Sequence, residues 1–286
     1  MSLARFLKVM PQYVLPQHSL SVLMSQLTHS KNKTLKNIFI REIIKRYGVN
    51  MSESLQQDIH SFNSFNEFFT RELNPQMRPL ARGDAIIVSP ADGVISQAGT
   101  IIDGQIFQAK GKSFSAVDLL GGDNKRASTF NGGLFTTIYL SPKDYHRLHM
   151  PLTGRLIEMV HIPGKLFSVN TITTENVSGL FARNERVVAI FETELGKMAL
   201  VLVGAIFVSS IETVWHGVVT PPTSKTIRSW QYADNAPLLE KGQEMGRFNM
   251  GSTIIVLFEK DKARWHADID AGKAVKLKTA LGSYIN

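Results

Sequence analysis

Six consecutive residues, Thr253-Ile-Ile-Val-Leu-Phe258, are β-branched or apolar without a break. A run of that length and composition, closed by Glu259-Lys260, reads as a strand buried on both faces, so it demands a sheet and a core around it. Gly246 and Gly251 loosen the backbone ahead of it, and Ser252 follows Gly251 directly, which puts a hydroxyl at the mouth of a core strand. Gly-Ser-Thr is common where strands begin. On these residues alone Ser252 is a turn serine.

Strand-like runs between turn signals recur at 85–88, 93–101, 134–140, 155–162, 186–192, 198–208 and 213–219. Helical pattern after residue 80 is sparse: 116–120, a short turn after Ser141, and 169–180. The expected architecture is α+β, a mainly antiparallel β body with an N-terminal amphipathic helical arm. The boundary falls near residue 80, giving an arm over 1–80 and a β-rich catalytic domain over 81–286.

The arm carries the charge. Residues 1–50 hold eight Lys/Arg against one Glu, +7 of the chain's net +8. Leu3, Phe6, Leu7 and Met10 fall on one helical stripe. A second helix, capped by Ser19, carries Leu20, Leu23, Met24 and Leu27. A third, capped by Thr34 and stopped by Gly48, carries Ile40, Ile43, Ile44 and Tyr47. A capping box at Ser64-Phe-Asn-Glu67 opens a short helix, 65–73, with Phe65, Phe68 and Phe69 facing inward. Apolar stripes rimmed by Lys and Arg suit an anionic membrane surface, although most amphipathic helices pack on their own core. Nucleic acid is disfavoured, because the arm's aromatics sit on the apolar stripes and not among the basic residues. The longest apolar stretch, 198–208, is too short to span a bilayer, and the N-terminus has no signal-peptide pattern. There are no cysteines, which excludes disulfides, zinc-thiolate sites and cysteine nucleophiles.

Three further features carry chemistry. In Ser141-Pro-Lys-Asp-Tyr-His-Arg-Leu-His-Met-Pro151, Ser141 can cap a short helix and Asp144 can bind the Ser141 N–H. His146 and His149 would then project from one helical face as a general acid and base. His-x-x-His without a third ligand is a weak metal signal, so no metal is expected. Ser89-Pro-Ala-Asp92-Gly93 places a carboxylate in a tight turn before a strand. Read with the others it could fix a histidine tautomer in an Asp92, His149, Ser252 relay.

Together these segments resemble phosphatidylserine decarboxylases of the bacterial, membrane-associated type. Phe65-Asn-Glu-Phe-Phe69, Gln108-Ala-Lys-Gly111, Pro163-Gly-Lys-Leu-Phe-Ser-Val-Asn170, Phe181-Ala-Arg-Asn-Glu-Arg186, Val203-Gly-Ala205 and Lys241-Gly-Gln-Glu-Met-Gly-Arg-Phe248 extend the likeness in the family's order over roughly residues 60–260. The family's cleavage motif usually reads Leu-Gly-Ser-Thr. Met250 stands in the Leu place, a same-size swap.

The resemblance implies a proenzyme that cuts itself between Gly251 and Ser252. His149, held by Asp92, would take the Ser252 proton, and Oγ would attack the Gly251 carbonyl. Ester elimination would leave a β chain (1–251) and an α chain (252–286) whose first residue is a pyruvoyl group. That group is an electron sink for decarboxylating phosphatidylserine to phosphatidylethanolamine. His146 is the implied proton donor in that step. The location implied is peripheral, on the cytoplasmic side of a bacterial inner membrane, and a homodimer of αβ units is the assembly considered. Two other classes compete. A Ser-His-Asp lipid hydrolase would use the same residues uncut, but the chain has no Gly-x-Ser-x-Gly elbow. A non-enzymatic peripheral lipid-binding module would leave the histidines structural.

Overall fold

The computed structural model describes residues 9–206, 210–221, 224–249 and 252–285. The stripe proposed over Leu3, Phe6 and Leu7 lies outside them. The helices that follow are α1 (Pro11–Val14), α2 (Gln17–Thr28), α3 (Lys33–Tyr47) and α4 (Phe65–Phe69). The strands that position the site are β1 (Gly93–Thr100), β2 (Leu134–Tyr139), β3 (Arg147–His149), β4 (Gly154–Ile162), β5 (Arg186–Thr193), β6 (Gly196–Val203), β7 (Ile211–Thr213), β8 (Gly217–Thr220), β9 (Arg228–Gln231), β10 (Leu238–Leu239), β11 (Glu244–Phe248), β12 (Thr253–Phe258) and β13 (Ala274–Val275).

Among the described residues, nine of these strands form one sheet in the order β9-β4-β5-β6-β12-β2-β1-β13, with β10 beside β4. Its paired strands are antiparallel, as expected of an α+β chain. The apolar run over 253–258 is its central strand. It hydrogen-bonds to β2 on one side and β6 on the other, and every residue is buried. That explains the unbroken apolar sequence: neither face meets water. Four strands, β8-β7-β11-β3, make a smaller sheet.

Several boundaries differ from the sequence expectation. The run 213–219 is two strands, β7 and β8, folded about a turn, with Gly217 in the left-handed region at φ 74°. The strand expected to reach residue 208 stops at Val203. A hairpin over 105–109 and 112–115 was not anticipated. Its turn holds Lys110 and Gly111 at φ 46° and 73°, the signature of a primed turn.

The helical caps also move. α3 is capped by Asn32, not Thr34. Asn32 Oδ1 accepts from both the Thr34 and Leu35 N–H at 3.1 Å, two of the four groups a helix start leaves open. Gly48 ends α3 in the left-handed conformation, as expected. α2 starts behind Pro16, so Ser19 lies inside it and is no cap. α4 is shorter than expected. Ser64 caps it, but Glu67 returns its bond to the Asn63 N–H and not to Ser64.

The two long arm helices treat their apolar stripes differently. On α3, Ile40 is fully buried, and Phe39, Ile43 and Ile44 pack with Phe62, Phe65, Phe68 and Phe69 in a small aromatic core. On α2 the buried residues are polar: Gln17, Ser21 and Thr28. Gln17 Oε1 accepts from the Leu166 N–H at 2.7 Å, and Gln12 Oε1 from the Ser168 N–H at 2.8 Å. The polar side is thus stitched to the body, and Val22, Leu23 and Leu27 point outward, Leu23 at 53% exposure. Among the described residues no helix is long and apolar enough to cross a membrane.

Candidate active site

Two crossovers between the sheets define the site. After β2 the chain leaves the large sheet, runs through 140–146 and joins the small sheet as β3. After β11 it leaves the small sheet and re-enters the large one as β12, with Ser252 as the residue before the strand. The crossovers lie side by side. The Leu140 N–H donates to the Ser252 carbonyl at 2.9 Å, and the Phe248 N–H to the His146 carbonyl at 3.0 Å. His146 and Ser252 are therefore brought to one place by backbone pairing, although they are far apart in sequence.

Ser252 is fully buried, and among the described residues its Oγ has no hydrogen-bond partner. Thr253 Oγ1, Thr137 Oγ1 and His146 Nδ1 are also buried and unpaired. A buried polar group left unsatisfied costs about 1–3 kcal/mol, so each of these side chains is held at the expense of stability. Asn249 fixes the approach to Ser252. Its N–H donates to the Ser210 carbonyl, its Nδ2 to Ser210 Oγ, and its Oδ1 accepts from Asn66 Nδ2 on α4 at 3.1 Å. Gly251, which carries the expected scissile bond, and Met250 lie outside the described residues.

The helix expected from Ser141 does not form. Asp144 Oδ2 does accept from the Ser141 N–H, at 2.7 Å, and also from Ser141 Oγ, but these bonds close a turn. The chain then extends, because Arg147–His149 pairs with β11. The same Ser-Pro-x-Asp pattern can open a helix or close a turn, and the sheet decides. The two imidazoles consequently do not share a helical face.

His146 stacks on Phe69, ring centres 4.1 Å apart, and its Nε2 lies 3.1 Å from the Ser141 carbonyl. A carbonyl can only accept, so Nε2 carries the proton and the unpaired Nδ1 is the lone pair. His149 is set by a different group. Its Nδ1 meets the Gly242 carbonyl at 2.8 Å and so carries hydrogen. Nε2 is left as the acceptor, with Tyr145 Oη 3.4 Å away. The tautomer assigned to Asp92 by analogy is thus fixed here by a backbone carbonyl.

Asp92 is engaged elsewhere. Its Oδ1 and Oδ2 take the Arg78 fork at 2.9 and 2.5 Å, and Oδ1 also accepts from the Leu277 N–H at 2.7 Å. Arg78 is shared with Glu53. Asp92 still sits beside His149, since the His149 N–H donates to the Pro90 carbonyl two residues before it. Its influence on that imidazole is electrostatic, without a hydrogen bond.

Burial pushes His146 down to about 3, helped by the nearby Arg71 charge and opposed by the Ser141 carbonyl. Burial also pushes His149 down to about 4, with the Gly242 carbonyl opposing it most and the Asp92 charge least. Both rings are neutral at neutral pH, so both offer a lone pair. Among the described residues no three His, Asp or Glu side chains are grouped to hold a metal ion.

Sequence reasoning missed Arg78, Gly242, Tyr145 and the Phe69 stack. Gly242 acts through its backbone and leaves no side-chain signal. Arg78 lies between Pro75 and Pro79 at the end of the arm segment, and nothing in its local sequence points to Asp92.

A fold with these paired crossovers, and a buried serine at the head of a core strand, can be set against known families. The family model for phosphatidylserine decarboxylase matches residues 65–283, and a second model, described as PSD, matches residues 7–48. A protein of Methylococcus capsulatus is 54% identical over 272 residues, 95% of this chain and 94% of its own. One from Pseudomonas putida strain GB-1 is 55% identical over 276 residues, 96% of each chain, and one from Hahella chejuensis is 51% identical over 285 residues, 100% and 96%. All three are named phosphatidylserine decarboxylase proenzyme. The chain belongs to the phosphatidylserine decarboxylase family.

Two outcomes follow from the site. An unfolded histidine titrates near 6.5, above both folded values, so the unfolded chain binds more protons as pH falls. Stability is therefore lost from about pH 6.5 downward, by about 2 kcal/mol per imidazole at pH 5. Chemical denaturation at pH 7 and 5 measures this, and imidazole NMR should show both rings neutral at pH 5; a ring titrating near 6.5 contradicts the burial argument. Secondly, Arg78→Met should lower stability by roughly 3–5 kcal/mol, because it leaves the buried Asp92 carboxylate only the more distant Lys276 ammonium, and Asp92→Asn should cost less, because Glu53 still pairs with Arg78. Unfolding midpoints decide, and a stable, fully functional Arg78→Met would return Asp92 to a direct role on His149.

Proposed function

We propose that this chain decarboxylates phosphatidylserine to phosphatidylethanolamine, using a pyruvoyl group made from its own Ser252 by cleavage after Gly251. The observation that carries this reading is the fully buried Ser252 at the head of β12, its Oγ partnerless among the described residues and its backbone paired to the crossover that bears His146. A serine that attacks its own chain needs no access for substrate. The chain also lacks the Gly-x-Ser-x-Gly elbow of a hydrolase, which argues against that alternative.

The roles are those the family resemblance implies, and the tautomers are compatible with them. His149 Nε2, with Nδ1–H held by Gly242, is the base that takes the Ser252 proton. Asp92 and Arg78 brace the loop beside it. His146 Nδ1 is assigned to moving a proton at the substrate carbon after carbon dioxide leaves; being neutral at rest, it must first receive that proton. When present, the pyruvoyl group supplies the electron sink. Ser252 fits as its source because no other group among the described residues claims the hydroxyl.

The two chains, 1–251 and 252–286, remain associated in this reading, because β12 is hydrogen-bonded along both edges and wholly buried. The substrate lies in a bilayer, and the outward Val22, Leu23 and Leu27 of α2, on a basic arm, suit peripheral docking on an anionic surface. We assign that surface to the cytoplasmic side of a bacterial inner membrane.

Paired variants test the roles. Ser252→Ala should stay a single chain and form no phosphatidylethanolamine. His146→Ala should cleave and yet lose about 100-fold or more in lipid turnover, the scale of a lost acid–base group. Gel analysis and headgroup mass spectrometry read both, and cleavage of Ser252→Ala or normal turnover by His146→Ala would refute the assignment.

A further inference from the structure

Glu185 carries a carboxylate that none of the chemistry above uses. It precedes β5, and its carbonyl accepts from the Gly204 N–H at 2.9 Å. Arg186 pairs with Val203, and Val203 with Thr253. Glu185, Gly204 and Ser252 are therefore consecutive members of one row at the end of the large sheet, about 10 Å from first to last at the usual strand spacing.

The side chain is buried and braced. His161 Nε2 lies 2.9 Å from Glu185 Oε1, and both side chains are almost wholly enclosed. On the other ring nitrogen, Arg228 Nε and Nη2 approach Nδ1 at 3.3 and 3.2 Å. A guanidinium can only donate, so Nδ1 accepts and Nε2–H points at the carboxylate. Arg228 thereby holds His161 in the tautomer that donates Nε2–H to the Glu185 carboxyl group. The fork is a positioned carboxylate, fixed from behind by two residues.

That carboxylate borders a cavity of about 30 Å³ between the sheet end and α2, with Ser21, Leu166, Gly204, Ser210 and Ile211 also on its wall. The volume takes one group the size of a water molecule or an ammonium. Ser210 is the residue that pins Asn249, so the cavity adjoins the approach to Ser252. A carboxyl group fixed beside a space of that size, with His18, Ser21, Ser210 and Thr220 also on the wall and under the helix with the outward apolar stripe, is placed to receive a small hydrogen-bond-donating group.

We propose that Glu185, positioned by His161 and Arg228, binds the primary ammonium of an aminophospholipid headgroup and so selects amine-bearing lipids and steers the amine toward position 252. This rests on the reading of the chain as a phosphatidylserine decarboxylase, and deepens it by naming the group that recognises the amine. Phosphatidylserine and phosphatidylethanolamine share this ammonium, so both are ligands.

The test uses the full-length Ser252→Ala chain, which has no carbonyl with which to trap an amine, and dihexanoyl lipids below their micelle concentration. By calorimetry, phosphatidylserine and phosphatidylethanolamine should each bind about tenfold or more tightly than their N-acetylated forms, and Glu185→Gln in the same background should abolish the difference. Equal binding of free and N-acetylated lipids by Ser252→Ala overturns the assignment without any change at Glu185, and would leave the cavity as the seat of a water molecule. In the otherwise wild-type chain, Glu185→Gln should self-cleave normally and raise KM for phosphatidylserine about tenfold with kcat changed less; an unchanged KM also overturns it. A wild-type chain that cleaves nothing and turns over no lipid would instead defeat the functional reading.

Discussion

Two backbone hydrogen bonds hold the candidate site together: Leu140 N–H to the Ser252 carbonyl, and Phe248 N–H to the His146 carbonyl. Each joins one crossover between the sheets to the other. Because β2 and β12 are neighbours in the large sheet, and β3 and β11 in the small one, the two connecting segments must run together. The hydroxyl at the head of β12 and the first imidazole are therefore placed by sheet pairing, not by any direct contact between their side chains. Loss of either sheet's register would separate them, since a one-residue slip turns every side chain to the other face.

The site's polar groups are held at some expense of stability. Among the described residues Ser252 Oγ, the adjacent Thr253 Oγ1 and His146 Nδ1 lack partners, and both imidazoles are kept neutral by burial. The surrounding core meets that expense: β12, β5 and β6 are among the most apolar strands in the chain, and large rings such as Phe135, Phe191 and Phe258 are fully enclosed. Ser252 sits at the end of this assembly, directly before β12.

Much of this was legible in the sequence. The run 253–258 reads as a strand buried on both faces, and it is the central strand of the large sheet. Taken singly, a serine before a core strand, two histidines three apart and an acid in a tight turn are ordinary; they stood out only together and through the family resemblance. What the sequence hid were partners supplied by the fold. The Gly242 carbonyl that orients His149 has no side-chain signature, and Arg78 reaches Asp92 only because the arm folds back on the body. The His pair was placed on a helix because Ser141-Pro-Lys-Asp144 satisfies helix-start rules; pairing of 147–149 with β11 overrode them. On α2 the periodicity was readable, but which side faced inward was not. Polar Gln17 and Ser21 turn inward, where Gln17 meets backbone groups of the body.

The central claim is that Ser252 is consumed to make the group that does the chemistry. Intact-mass spectrometry of the purified, denatured wild-type protein tests it most directly. The account predicts two chains, 1–251 and 252–286, the smaller beginning with a keto group in place of an amine and resisting N-terminal sequencing. A single 31.8 kDa chain in a preparation that actively decarboxylates phosphatidylserine would contradict it.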